Sequence, residues 1–584
     1  MISTGAPVHP TPLFPAAPQP PPAAPAATHH SDAESSLPMP LQPATDTDTD
    51  TVTSMTGGRA VARALAAHGV DVLFGIPGTH NLEVYAHLRR YGITPLTTRH
   101  EQGAAYAADG YARAGGRPGI VLTTTGPGLL NTVAAVGQAH SDSVPLLVLS
   151  PGMPLRHPAL PTGRLHEAPG QQRAMEGVTA FSHRVTSVGE IDTAIARAFT
   201  AFRTFRPRPV HIEIPLDLLE EPGPVAPRPR GVAPTAPAGA ETGELRRATQ
   251  RLRRPGRPAL VIGGGARAAG PACTRLAELL GAPVVTTANG KGTVAESHPL
   301  SLGVSLHTDT VQRWLAACDT VVAVGTEFAE SDFWRTPPTP GGVLVRIDID
   351  PDRMYADPPA DIALTGDATT VLDELLRRVT EPCEDADAAA DLARRLRRSA
   401  REEQAARDAR WIPHLDAVRG VLADDAVLTS DSATACYYGA LPHLPIDPPG
   451  RLLHPTGFGT LGYALPAAIG AATAHPGRQV VALSGDGGFQ FTVQELATAV
   501  QLGRPIPVVV FDNGGYGEIR DQMVARGDAP AAVDLPSPDL PALARAYGGD
   551  GVVCRTPGEL AAALTNALRT AGPTVIVVPE ETGA

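Results

Sequence analysis

Two short apolar runs, each ending in glycines and one metal-competent side chain, constrain this chain more than any other stretch. The first is Val480-Val481-Ala482-Leu483-Ser484, which breaks into Gly485-Asp486-Gly487-Gly488-Phe489. The second is Val508-Val509-Val510-Phe511, which breaks into Asp512-Asn513-Gly514-Gly515-Tyr516-Gly517. Apolar runs of this length without alternation read as buried parallel strands. Residues 493–501 between them read as a helix, so the pair forms one right-handed crossover. Asp486 and Asn513 then reach the same sheet edge. The glycines let backbone N–H groups approach an anion there. Few protein oxygens, with room left for phosphates, is how magnesium holds a diphosphate. Taken alone, Gly-Asp-Gly is equally an ordinary turn between strand and helix.

A chain of 584 residues has room for roughly three to four domains. Its hydrophobic content of 43% suffices for large cores. The net charge of −12 argues against nucleic acid or an anionic membrane as partner. Cys273, Cys318, Cys383, Cys436 and Cys554 have no ligand spacing and read as reduced thiols of a cytoplasmic protein. No apolar run reaches membrane-span length.

Residues 1–55 are rich in Pro, Ala and Thr and read as a disordered tail. They lack the basic start and apolar centre of a secretory signal. Beyond them, strand-like runs alternate with helical spacing, the pattern of α/β open parallel sheets. The expected organisation is a first domain at 56–221, a Pro/Ala linker at 222–242 and a second domain at 243–380. A charged linking helix at 381–410 and a third domain at 411–584 complete it. Gly263-Gly264-Gly265 follows the second domain's first strand and reads as a tight turn, since the full dinucleotide motif is missing.

Glu101 follows a short strand and precedes a helix of small residues. A carboxylate there is expected to be partly desolvated and placed to share a proton with a neighbouring group. In isolation it would be a helix N-terminal charge.

Gly485-Asp486-Gly487 followed by Asn513 resembles the signature of thiamine-diphosphate enzymes, with Asp512 in place of the usual first Asn. Gly75-Ile76-Pro77-Gly78, Arg99-His100-Glu101 and Gly126-Pro127-Gly128-Leu129-Leu130-Asn131 resemble the pyrimidine-binding domain of the acetohydroxyacid synthase-like branch. The resemblance runs from Gly57 to the C-terminus, in the order pyrimidine-binding, middle and diphosphate-binding domain. It implies Mg2+ on Asp486, Asn513 and the Gly515 carbonyl. It implies cofactor contacts from Gly78, Asp431, Ser432, Gly487, Gly488 and Tyr516, with Gly459 and Leu461 against the pyrimidine. Glu101 would hydrogen-bond the aminopyrimidine and drive the proton exchange that prepares the cofactor to decarboxylate a 2-oxo acid. A homodimer or homotetramer is implied, with Glu101 and the diphosphate site coming from different chains. Some relatives hold FAD in the middle domain, and the resemblance leaves that open here.

The substrate pocket departs from the synthases at His140, at Leu165-His166-Glu167, at Gly517-Glu518-Ile519 and at Gln522. Gly163-Arg164-Leu165-His166-Glu167, Ala180-Phe181-Ser182-His183, Arg206-Pro207-Arg208-Pro209-Val210-His211-Ile212-Glu213 and Gly515-Tyr516-Gly517-Glu518-Ile519-Arg520 are similar to the decarboxylases of 5-guanidino-2-oxopentanoate. A guanidinium tail wants a desolvated carboxylate. Glu518 and Glu167 are the candidates, with Ile519 and His140 lining the pocket. A carboligase of the acetolactate synthase type and a non-catalytic paralogue are the alternatives.

Overall fold

A computed structural model describes residues 53–158, 160–231 and 239–580. Residues 1–52, nearly all of the expected tail, lie outside them. The strand Ser54–Thr56, whose first two residues were expected in that tail, pairs antiparallel with Pro222–Pro224, at the start of the expected linker.

The fold is α/β, with three wholly parallel sheets. The first, in spatial order, contains Thr94–Thr97, Val72–Gly75, Gly119–Leu122, Leu146–Gly152, Val210–Pro215 and Phe181–Arg184. The second contains Val284–Thr286, Pro258–Ile262, Thr320–Val324, Val343–Asp348 and Ile362–Thr365. The third contains Arg451–Leu453, Val427–Ser430, Val480–Gly485, Ile506–Asp512, Pro573–Pro579 and Asp550–Val553. Central strands are buried on both faces, which is why they read as unbroken apolar runs. The charged stretch after residue 381 forms the helix Ala386–Asp408, which buries Ala393 and Ala400. Among the described residues no helix is long and apolar enough to cross a membrane.

The first and third domains share one hydrophobic core. Its centre is the helix Glu101–Gly115 against the helix Ala464–Ala474. A side chain at Gly110 would overlap the Ala467 carbonyl, and one at Gly470 the Ala107 carbonyl. The two backbones therefore meet directly, which only glycine at these positions permits. Any tilt of one helix moves both the residues before Glu101 and the loop before Ala464.

His211 sits inside the first sheet between the hydroxyls of Ser150 (2.8 Å) and Ser182 (2.7 Å). Burial lowers its pKa from 6.5 to about 3. The folded state thus keeps the ring neutral while the unfolded chain protonates below about 6.5. His211 contributes its full stability above that pH and loses it as pH falls toward about 3. The expected slope is about 1.4 kcal/mol per pH unit. Buried Asp109 and Asp431, each raised to about 6 by burial, act in the opposite sense. The clean comparison is therefore His211→Asn against wild type. The variant should lose less melting temperature between pH 7 and pH 5, and equal losses would refute the assignment.

Candidate active site

The third sheet builds the site from adjacent parallel strands. Ser430 lies beside Leu483, and Gly485 beside Phe511. Asp431, Asp486 and Asn513 each follow one of these strands, so the register brings all three to one carboxyl edge. Ligands of open parallel sheets bind at such edges. Asp486 is buried, and its Oδ1 accepts the Asn513 N–H at 3.4 Å. Burial, then the charge of Asp512, pushes the Asp486 carboxyl above its usual range. Asn513 Oδ1 is buried with no hydrogen-bond partner. Gly515, at φ +142°, turns the chain so that its carbonyl oxygen lies 3.5 Å from where a Cβ of Gly487 would be. A crowded anion, an orphaned amide oxygen and a nearby carbonyl are the donor set a hard dication takes. Asp512 Oδ1 accepts from Gly514 N (3.1 Å) and Ser537 Oγ (2.9 Å), and the same hydroxyl lies 3.5 Å from Asp486 Oδ2.

Gly487 and Gly488 open the short helix Asp486–Gln490. A Cβ on Gly487 would stand 3.1 Å from the Tyr516 ring, and one on Gly488 2.9 Å from Asp431 Oδ2. Their bare backbone fits a diphosphate cradle between Tyr516 and Ser432. Asp431 itself is fully engaged within the protein. It accepts from Ser432 N at 2.9 Å, Gly462 N at 3.0 Å and Ser484 Oγ at 3.1 Å. Its carboxylate thus pins the 457–462 loop to the sheet, a scaffolding task where a cofactor contact was expected. Gly459, at φ +64°, is exposed on that loop, with Leu461 half-buried two residues on.

A second cluster lies at the first sheet's edge. Glu101 opens its helix half-buried, and Oε2 accepts from Asn131 Nδ2 at 2.9 Å. Gly128 presents bare backbone to Glu101, 3.2 Å from Oε1 to an added Cβ. Gly78 and Gly128 both pack on Thr124. No hydrogen bond among the described residues joins Glu101 to the 486–518 cluster.

The four residues expected at the substrate separate. Glu518, in the first turn of the helix Gly517–Ala525, accepts from Tyr438 Oη (3.1 Å) and Gln522 Nε2 (2.8 Å). Tyr438 comes from the π-helical turn Ala435–Ala440. Burial, then the Glu518 charge, raises its phenol to about 12. Ile519 is exposed beside Glu518. His140 instead packs on Arg208, whose Nη1 lies 2.8 Å from Nε2, and burial and that guanidinium lower its pKa. Glu167 is turned onto its own loop, accepting from Thr162 N, Gly163 N and Arg164 N and contacting His157. That bonding corrects the expectation of a carboxylate free for a substrate tail.

A cavity of about 770 Å3 opens where all three domains meet, lined by Arg113, Gly264, Gly265, Arg267, Thr326 and Arg451. Both Nη atoms of Arg267 are buried without partners, and burial lowers its pKa to about 9. Unpaired guanidinium donors beside bare glycines fit the phosphates of a nucleotide. Gly264 and Gly265, in the stretch read from sequence as a tight turn in preference to a phosphate seat, are part of this wall.

Three family models match in succession. They are the thiamine pyrophosphate enzyme N-terminal TPP binding domain at 55–174, the central domain at 245–375 and the C-terminal TPP binding domain at 433–578. A probable 2-ketoarginine decarboxylase, AruI, of Pseudomonas aeruginosa is 43% identical over 502 residues, covering 85% of this chain and 89% of the relative. The large subunit of acetolactate synthase isozyme 3 of Escherichia coli is 31% identical over 545 residues, covering 88% and 92%. A probable acetolactate synthase large subunit of Methanococcus aeolicus is 30% identical over 545 residues, covering 88% and 90%.

Proposed function

Because this chain belongs to the thiamine pyrophosphate enzyme family, we propose that it is a magnesium-dependent decarboxylase of a cationic 2-oxo acid. The substrate is 5-guanidino-2-oxopentanoate (2-ketoarginine) or a close analogue. The observation that carries the substrate class is Glu518. Its carboxylate, five residues past Asn513 in the chain, is held by Tyr438 and Gln522. The likeness to a probable 2-ketoarginine decarboxylase supports the same choice.

Bound thiamine diphosphate supplies the electron sink for loss of carbon dioxide. The chain's own residues bind, orient and move protons. Asp486, Asn513 and the Gly515 carbonyl hold Mg2+. Ser432, Gly487, Gly488 and Tyr516 surround the diphosphate. Gly78, Gly459 and Leu461 would meet the pyrimidine, and Glu101 would hold or release a proton beside it at Oε1. Glu101 and the 486–518 cluster stand on different sheets without a joining hydrogen bond. A homodimer that sets Glu101 of one copy against the diphosphate site of the other accounts for this. The Arg267 cavity takes FAD in this reading, and a flavin spectrum in the purified protein checks it.

The substrate assignment is tested by ratio. Glu518→Gln should weaken use of 5-guanidino-2-oxopentanoate by about 2–5 kcal/mol, the cost of stranding one partner of a buried charge pair. Decarboxylation of pyruvate should change little, because no cation needs the charge. Measuring kcat/KM for both substrates separates this from a helix N-terminal charge. Equal losses would favour the cap. Acetolactate as the main product from pyruvate would favour a carboligase.

A further inference from the structure

Glu495 is fully buried, at 0% exposure, on the third domain. It closes the 3-10 turn Val493–Glu495 that follows the Asp486–Gln490 helix. Its carboxylate accepts from Arg99 N at 3.0 and 3.2 Å, from His100 N at 3.0 Å and from Thr498 Oγ1 at 2.6 Å. The two N–H groups belong to the turn of the first domain that ends at Glu101. His100 is the N-cap residue of the helix that Glu101 opens. Gly103, on the first turn of that helix, has no room for a side chain because Glu495 occupies it. A carboxylate of one domain is thus sunk into the backbone of the other, immediately before the proposed proton-exchanging group.

The exchange runs both ways. Asp142 of the first domain accepts from Thr456 N and Gly457 N, each at 3.0 Å. Gln138 Oε1 accepts from Thr460 N at 3.3 Å and donates through Nε2 to Asp142 at 2.7 Å. These bonds hold the loop that carries Gly459 and Leu461. Each domain therefore supplies the acceptors that fix the other's share of the site.

We propose that Glu495 is a positioning residue for Glu101, setting where its carboxylate points by fixing the two N–H groups before it. This rests on the reading of Glu101 given above. A carboxylate suits the task because it accepts from three donors and offers none. In Glu495→Gln the acceptor loses its charge, and the amide nitrogen, which can face only the Thr498 hydroxyl, no longer accepts the second Arg99 N contact, so the bonds that fix the turn weaken.

The test compares E495Q with E101Q by two measurements. The first is backbone amide exchange over residues 98–102 in the protein without cofactor. The second is hydrogen–deuterium exchange at the reactive carbon of bound thiamine diphosphate, with Mg2+ present. E495Q should speed amide exchange at this turn by about tenfold and slow carbon exchange by about tenfold, the scale of one hydrogen bond to a charged group. Its cofactor affinity should stay near wild type. E101Q should slow carbon exchange while leaving the turn's amides protected. If E495Q does not fold, E495D carries the same two measurements, because it keeps the charge but withdraws it by one methylene. Wild-type values of both measurements in a folded Glu495 variant, with E101Q slow, would overturn the inference and leave Glu101 in place. Wild-type carbon exchange in E101Q would overturn the reading of Glu101 itself.

Discussion

Glu101→Gln is expected to keep thiamine diphosphate bound and to lower kcat by about 100- to 10,000-fold, the usual share of a positioned acid–base group. The substitution preserves shape. Asn131 Nδ2 donates to Glu101 Oε2 at 2.9 Å, and an amide oxygen there can still accept it. What the amide lacks is a proton it can give up and recover. Gly128 leaves the Oε1 side open, with bare backbone where a side chain would stand 3.2 Å away. A ring nitrogen can therefore come to Oε1 without displacing Asn131. The loss should fall on kcat, with cofactor affinity changing little, because the proton exchange is needed in the reaction and not in binding. Turnover within a few-fold of wild type would show that another group exchanges the proton. Loss of cofactor binding would make Glu101 a ligand-holding residue.

The strands that carry the site were legible because burial on both faces writes them as unbroken apolar runs. Val480–Gly485, Ile506–Asp512 and Leu146–Gly152 announce themselves in this way. Edge strands do not. Asp550–Val553 is mostly exposed, and Phe181–Arg184 has one apolar residue followed by three polar ones at half burial, so neither stands out from a loop. The residues brought to the metal edge could be read in advance because crossover topology ties sequence spacing to strand order. Glu495, Asp142 and Gln138 could not, because each acts on backbone N–H groups more than 300 residues away in the chain. Backbone donors leave no mark in a sequence. Asp431 shows the same limit: its place after a strand is visible, whereas its engagement with Gly462 and Ser484 is not. Glu167 shows it too: its acidic side chain is visible in the sequence, whereas the three N–H groups that close on it are not.

Asp486→Ala is expected to abolish magnesium-dependent binding of thiamine diphosphate. The carboxylate is the one anionic side chain in the proposed ligand set, beside an amide oxygen and a backbone carbonyl. Removing one member of a buried charge interaction costs about 3–5 kcal/mol, roughly 100- to 5,000-fold in Kd. Asp512 lies close enough for its charge to reach Asp486. Its Oδ1 is bound to Gly514 N and Ser537 Oγ, so only its second oxygen could substitute in part for the lost ligand. The protein without cofactor should respond in the opposite direction. There Asp486 is a buried anion beside a second carboxylate, and deleting it relieves desolvation and repulsion together. The melting temperature without ligand should therefore hold or rise. The rise that Mg2+ and thiamine diphosphate produce in wild type should disappear, since only binding to the folded state generates it. Equal ligand-induced rises in wild type and variant would place the metal elsewhere.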